Sequence, residues 1–198
     1  MIIFEDISKE IPYKILKKSH DQAIIKNQES IDAISISSYC RKSKEVNSRY
    51  VNLKYVKKNK FIFFSNYNSK KSDEFKNHDQ ISALIYWNKI SVQVRMKGHI
   101  KKISGKLSDK YFSNRSKEKN ALAISSQQSK PISSFDLVKQ NYFNAIKEAD
   151  LKKRPKYWGG YEFVPYEFEF WSGHKYRLNK RTHFKLSNDV WKKTFLQP

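Results

Sequence analysis

The chain has 198 residues, with 40 Lys and Arg against 19 Asp and Glu and a formal net charge of +21. An apolar share of 38%, including 13 Phe, 12 Tyr and 4 Trp, excludes a disordered polyelectrolyte and is enough for one core, so a single domain over residues 1–198 is expected. The lone cysteine, Cys40, excludes an internal disulfide and a thiol metal cluster.

The N-terminal stretch MIIFEDISKEIPYK has no long apolar segment and no cleavage signature, and no run approaches membrane-span length. A soluble, cytoplasmic protein without a membrane partner is the expectation. Pro12 opens PYKILKKSHDQAIIKNQ, an amphipathic helix with Ile15, Leu16, Ala23 and Ile24 as its apolar members. DAISISSY alternates and reads as a strand. After the basic turn CRKSKEVNS, RYVNLKYV alternates again, with Val51, Leu53 and Tyr55 on one face, and KFIFFSN is a third strand. Asp73 to Asn77 reads as a short helix. ISALIYW and SVQVRMKGHIKKIS form a hairpin about NKI, with Val92, Val94, Met96 and Ile100 facing one way.

The middle of the chain is helical. Ser108 is the expected N-cap of LSDKYFSNRS, KEKNALAISS continues as helix, and Ser133 to Asp136 has capping-box spacing before SFDLVKQNYFNAIKEA. After DLKKRPKYWGG the strands return as YEFVPYEFEFW, HKYRLNKRTHFKL and VWKKTFL. Strands at both ends with helices between predict a mainly β fold, a barrel-like antiparallel sheet with peripheral helices.

No Walker A loop, GxGxxG, HExxH or CxxC occurs, and five glycines are too few for a glycine-rich phosphate cradle. The five histidines include no pair at metal-ligand spacing, so no metal site is expected. An anion would have to be held by Lys, Arg, Ser and helix ends. Lys70 and Lys71 in SNYNSKKSDEF stand where a strand gives way to a helix, whose free N–H groups and dipole favour such a ligand.

In order along the chain, SRYVNLK, FFSNYNSKK, VQVR, SSQQS, RPKYWGGY and EFWSGHKYRLNKR, with the final Pro198, resemble the motifs of the pyridoxamine 5′-phosphate oxidase family. The resemblance spans Ser48 to Pro198. It implies an FMN-binding split β-barrel acting as a homodimer, with flavins at the interface. In that family a hydride leaves the substrate carbon bearing the amine or alcohol for the flavin, and oxygen reoxidises the flavin to give hydrogen peroxide.

Residue by residue, the resemblance implies that Arg49 and Lys71 hold the flavin phosphate with Lys70 alongside, that Phe64 and Ser65 lie near the ring system, and that Gln93 contacts the isoalloxazine. Gln128, Ser129, Trp171 and Arg181 are expected from the partner subunit. Lys54, Tyr111, Arg115 and Arg177 match positions that grip a phosphorylated pyridine, pyridoxamine or pyridoxine 5′-phosphate, and Arg177 with Asn179 occupies the catalytic motif. Arg49 and Lys54 are five apart and face opposite sides of a flat strand, so a bulge or a strand end is needed to bring both to one pocket. Two departures stand out. Asn179 replaces the family's histidine and Lys180 its acid, and Lys119 stands where a serine completes the substrate phosphate site.

The alternatives are a sister flavoprotein with another substrate, a non-catalytic flavin-binding dimer, and a basic nucleic-acid-binding protein. Against the last, the basic residues form no single cluster and no nucleic-acid-binding motif appears.

Overall fold

The computed structural model describes residues 1–198. In chain order its elements are β1 Ile3–Glu5, α1 Ile11–Ile25, β2 Ala33–Cys40, β3 Glu45–Lys57, β4 Lys60–Asn66, α2 Lys70–Asn77, β5 Gln80–Trp87, β6 Val92–Lys102, α3 Gly105–Ser113, α4 Lys117–Ser125, α5 Phe135–Glu148, β7 Trp158–Ser172, β8 Lys180–Ser187 and β9 Val190–Leu196. No helix is long and apolar enough to cross a membrane.

Six antiparallel strands close on themselves in the order β2-β3-β4-β7-β6-β5 and back to β2. Closure depends on two long strands that each change partners. The first part of β3 pairs with β2 and its end with β4, while the start of β7 pairs with β4 and its end with β8. β1 adds to β3 in parallel, and β8 and β9 extend the sheet beyond β7. Alternation drives the closure: Ile34, Ile36, Ile81, Ala83, Ile85, Val94 and Met96 are buried and their neighbours face outward. Phe61 stacks on Phe163 at 4.9 Å between ring centroids in the centre. Truncating such a ring typically costs about 3–5 kcal/mol. At the bulge after Lys97, Gly98 lies so close to β7 that a Cβ would sit 2.6 Å from the Val164 carbonyl oxygen, so the corner requires glycine.

Several expectations are corrected. Helix α1 buries Tyr13, Leu16, His20 and Ala23, whereas Ile24 is exposed, because the helix face is set by the strands it covers. In β3 the inward residues are Leu53 and Val56, since a bulge at Lys54 shifts the pleat and leaves Tyr55 half-buried. Helix α2 begins three residues earlier than Asp73, at Lys70. Ser104, not Ser108, precedes α3, and α4 is a separate helix after a break at residues 114–116. The side chain that caps α5 is that of Ser134, which accepts from Leu137 N at 3.1 Å. Residues 174–179 form a loop, not strand, with Arg177 in the left-handed region at φ 61°.

The paired glycines position the helical layer. A Cβ on Gly159 would meet the Tyr67 hydroxyl at 2.3 Å, and one on Gly160 would meet the Ile103 side chain at 2.2 Å. With neither present, Ser108 in α3 accepts a hydrogen bond from Gly160 N at 3.1 Å and Tyr67 donates to Gly160 O at 3.1 Å. This contact seats α3 against β7, so that Tyr111 stacks on the outward-facing Phe64 of β4.

Candidate functional site

The turn between β4 and α2 is built by its own side chains. Asn66 Oδ1 accepts from Asn68 N at 2.8 Å, closing an Asx turn, and Ser69 Oγ donates to Asn66 O at 2.8 Å. Ser69 is the N-cap residue, so Lys70 and Lys71 are the first two residues of α2, beside its free N–H groups. Lys70 is exposed. Lys71 is buried at 7% exposure, and its Nζ donates to Ser69 Oγ at 3.0 Å and Gln128 Oε1 at 3.3 Å, neither of which carries charge. Burial, followed by the nearby Arg49 guanidinium, pushes the Lys71 ammonium down to about 8, against a smaller upward pull from Glu74. A desolvated cation with neutral partners is a site prepared for an anion.

The bulge at Lys54 resolves the spacing of Arg49 and Lys54. Leu53 pairs with Phe63 and Tyr55 with Ile62, so Lys54 is the extra residue, and both basic side chains line one groove of about 870 Å³. Arg49 Nη1 donates to Ile36 O at 3.3 Å and Ser38 Oγ at 2.5 Å, and Nη2 donates to Glu74 Oε2 at 2.8 Å. Lys54 Nζ donates to Asp32 Oδ2 at 2.5 Å.

Phe64 and Ser65 at the end of β4 also line the groove, with Lys70 and Lys71. Tyr111 stacks flat on Phe64 at 3.7 Å, and the buried Trp158 continues the stack 5.6 Å from Phe64. Arg115 lies over Trp158 at 4.9 Å and donates to Lys119 O at 3.0 Å. Burial raises the Tyr111 phenol and lowers the Arg115 guanidinium. Lys119 is exposed on the same rim.

Gln128 and Ser129 line this groove in the same chain as Lys71, whereas the family resemblance implies that they come from the partner subunit. The cause is the way the end of α4 is tied down. Asn66 Nδ2 donates to Ser126 O at 3.3 Å and Tyr157 donates its hydroxyl to Ile124 O at 2.6 Å. Ser129, at φ 71°, then turns the chain away.

The other expected residues lie apart from the groove. Gln93 pairs with Trp171 and Trp171 with Arg181, so the three form one row across β6, β7 and β8. Arg181 Nε donates to Glu169 Oε1 at 2.8 Å, a bond that raises the guanidinium. Gln93 thus belongs with Trp171 and Arg181, a grouping invisible before the register is known. Arg177 and Asn179 sit on the exposed loop that follows β7, where Asn179 Oδ1 accepts from His174 N at 3.1 Å. Sequence reasoning missed Glu74, Ser38 and Asn47 around Arg49. The one available signal was an acidic residue one helical turn after two lysines in a strongly basic chain.

Residues 29–145 match the family described as pyridoxamine 5′-phosphate oxidase, and residues 158–198 match the pyridoxine 5′-phosphate oxidase C-terminal dimerisation region. The chain is 36% identical over 175 residues to the pyridoxine/pyridoxamine 5′-phosphate oxidase of Vesicomyosocius okutanii, covering 85% of this chain and 80% of that one. To the protein of the same name from Polynucleobacter asymbioticus it is 32% identical over 188 residues, covering 94% and 89%. Among solved structures, PhzG from Burkholderia lata in complex with tetrahydrophenazine-1-carboxylic acid superposes with a TM-score of 0.89 at 24% identity, over 94% of this chain and 92% of that one. A pyridoxamine 5′-phosphate oxidase-related, FMN binding protein from Nostoc punctiforme gives 0.77 at 12% identity, over 96% and 99%. The split β-barrel is therefore shared well beyond close relatives, and the match over residues 29–145 together with the identity to the relatives shows that the chain belongs to the pyridoxamine 5′-phosphate oxidase family.

Proposed function

We propose that the protein is an FMN-dependent oxidoreductase that works as a homodimer on a phosphorylated or otherwise anionic small molecule. The observation that carries this reading is Lys71, a buried ammonium at a helix start with only neutral partners and with Arg49 and Lys70 beside it. These are the donors a phosphate dianion needs. FMN, when bound, supplies the two-electron acceptor. Everything else is orientation by the protein.

In this reading Arg49, Lys70 and Lys71 bind the phosphate end. Phe64 and Ser65 flank the ring end, and Gln128 fixes the Lys71 ammonium. Lys54, Arg115 and Lys119 present three cations to the substrate's anionic group, and Trp158 backs Arg115 with its ring face. The row Gln93, Trp171 and Arg181 is separate from its own groove, so it serves the groove of a second copy, as the match of residues 158–198 to a dimerisation region supports. Arg177 and Asn179 follow the same row and are delivered to the same neighbour.

A sister substrate is favoured by two features. Asn179 spends its side-chain oxygen on the His174 amide and has no titratable group near neutral pH, and Lys119 adds a charge to the rim. The PhzG structure is described with a carboxylic acid, so the architecture serves ligands other than the two vitamers. Titration of the apoprotein with FMN, read by quenching of flavin fluorescence, tests the cofactor. Saturation at one FMN per chain is expected, and no quenching at excess FMN would contradict the reading.

A further inference from the structure

Glu74 stands where a simple electrostatic argument would not put it. Its carboxylate, 1% exposed, lies on α2 one turn from the lysines that are proposed to bind a phosphate. A buried negative charge beside an anion site is repulsive unless it serves the cations there. Every oxygen of Glu74 is used. Oε2 accepts from Ser38 Oγ and from Arg49 Nη2 at 2.8 Å, and Oε1 accepts from Asn47 Nδ2 at 3.0 Å. The other end of the Asn47 amide, Oδ1, accepts from Lys70 Nζ at 3.4 Å. Ser38 closes the set by accepting from Arg49 Nη1 at 2.5 Å.

We propose that Glu74 is a positioning residue for the anion site, locking Arg49 and, through Asn47, orienting Lys70 so that both meet the phosphate of the cofactor. The three Arg49 bonds to Ile36, Ser38 and Glu74 engage both terminal nitrogens of the guanidinium and leave its Nε–H without a partner in the chain. Two of its five N–H donors therefore remain for a ligand, enough for a bidentate contact. A guanidinium fixed in advance loses little side-chain entropy when the ligand arrives. The carboxylate also offsets the mutual repulsion of Arg49 and Lys71, in keeping with its upward pull on Lys71.

This inference rests on the FMN reading and is tested so that the two can fail separately. Glu74→Gln keeps shape and removes charge. Its affinities for FMN and for riboflavin, which lacks the phosphate, are measured beside wild type at pH 7.5 by flavin fluorescence, with melting curves to confirm folding. FMN binding should weaken about tenfold, as for loss of a charge-assisted bond, and riboflavin binding should stay within about twofold. In an Arg49→Ala background Glu74→Gln should cost clearly less than it does in the wild type, because its main effect runs through Arg49 and only the link through Asn47 to Lys70 remains. FMN affinity unchanged or tightened, equal losses for FMN and riboflavin, or full additivity with Arg49→Ala would each overturn the proposal. Should Glu74→Gln not fold, Ser38→Ala decides by the same comparison. A phosphate-selective loss supports the proposal and an unchanged FMN affinity overturns it. Wild type that binds no FMN would instead end the parent reading.

Discussion

The Nζ of Lys71 lies 3.3 Å from Oε1 of Gln128, 57 positions away in the chain, and joins the start of α2 to the segment after α4. The bond fixes the buried ammonium at the floor of the groove without neutralising it.

Lys71→Ala should weaken FMN binding tenfold or more, since a charge-assisted bond is worth about 1.5–3 kcal/mol and each ~1.4 kcal/mol is a factor of ten. Equilibrium titration of the variant checks it, and riboflavin should be affected less.

The same residue sets a pH dependence. The phosphate becomes a dianion above about pH 6, while Lys71 in the free protein loses its proton near 8. FMN affinity should be greatest between these values and fall as pH rises past 8. The folded value lies below the ordinary 10.5 of a lysine, so between 8 and 10.5 the unfolded chain binds more protons. Lys71 therefore makes the FMN-free protein more stable as pH rises through that interval. Affinities measured from pH 6 to 9.5 check the first claim, and a flat profile would count against Lys71 as a phosphate ligand.

Two groups of site residues that do not meet in one chain predict complementation in a dimer. Chains carrying Lys71→Ala mixed with chains carrying Arg181→Ala should give heterodimers with one intact and one doubly damaged site. Each heterodimer should regain one site of high FMN affinity, where neither variant alone has any. A monomer by light scattering that binds FMN at full stoichiometry would contradict the arrangement.

How much of this was legible beforehand depended on distance along the chain. β4 is delimited by Asn59 and the SNYNS turn, so KFIFFSN coincides with the observed strand. The alternation of β5 and β6 was equally plain. Ser108 misled because a serine before an apolar pair looks like a cap, whereas here it is buried against Gly160. The segment HKYRLN alternates like a strand, but Arg177 adopts a left-handed backbone and Asn179 ties the loop to His174. β1, three residues long, is too short to show a period. At the site, the Arg49–Lys54 spacing announced the need for the bulge that the register shows, and SNYNSKK announced the strand-to-helix turn that carries Lys70 and Lys71. Which of the expected site residues lie together could not be read, because Gln93, Trp171 and Arg181 become neighbours only through the register of three strands.

Oxidation of pyridoxine or pyridoxamine 5′-phosphate by the wild type should be weak, with a gain in Asn179→His. A positioned imidazole that takes part in proton transfer contributes about 100-fold or more. Oxygen consumption with both vitamers checks this. Wild-type turnover in the usual range of about 1–1000 per second would show instead that Asn179 is a tolerated replacement.

His20 gives the fold an acid-sensitive element. It is 2% exposed, packed edge-on against Phe4 and Trp87, and neither ring nitrogen has a hydrogen-bond partner. Burial lowers its pKa. Asp21, 3.5 Å away, works in the opposite direction, and Lys17 and the N-terminal amine add to the lowering. The folded value thus lies below the unfolded value of about 6.5. As pH falls through 6.5 the unfolded chain takes up a proton that the folded chain does not, and stability declines. His20→Phe should narrow the difference in melting temperature between pH 7.5 and pH 5.5, and an unchanged difference would argue against the assignment.

The central claim is that this split barrel binds FMN through Lys71, Arg49 and Lys70. The most direct measurement is the visible absorption spectrum of the purified protein, dialysed after incubation with excess FMN, together with the amount of flavin released on denaturation. The account predicts a yellow protein carrying one FMN per chain. A protein that stays colourless and releases no flavin would contradict it.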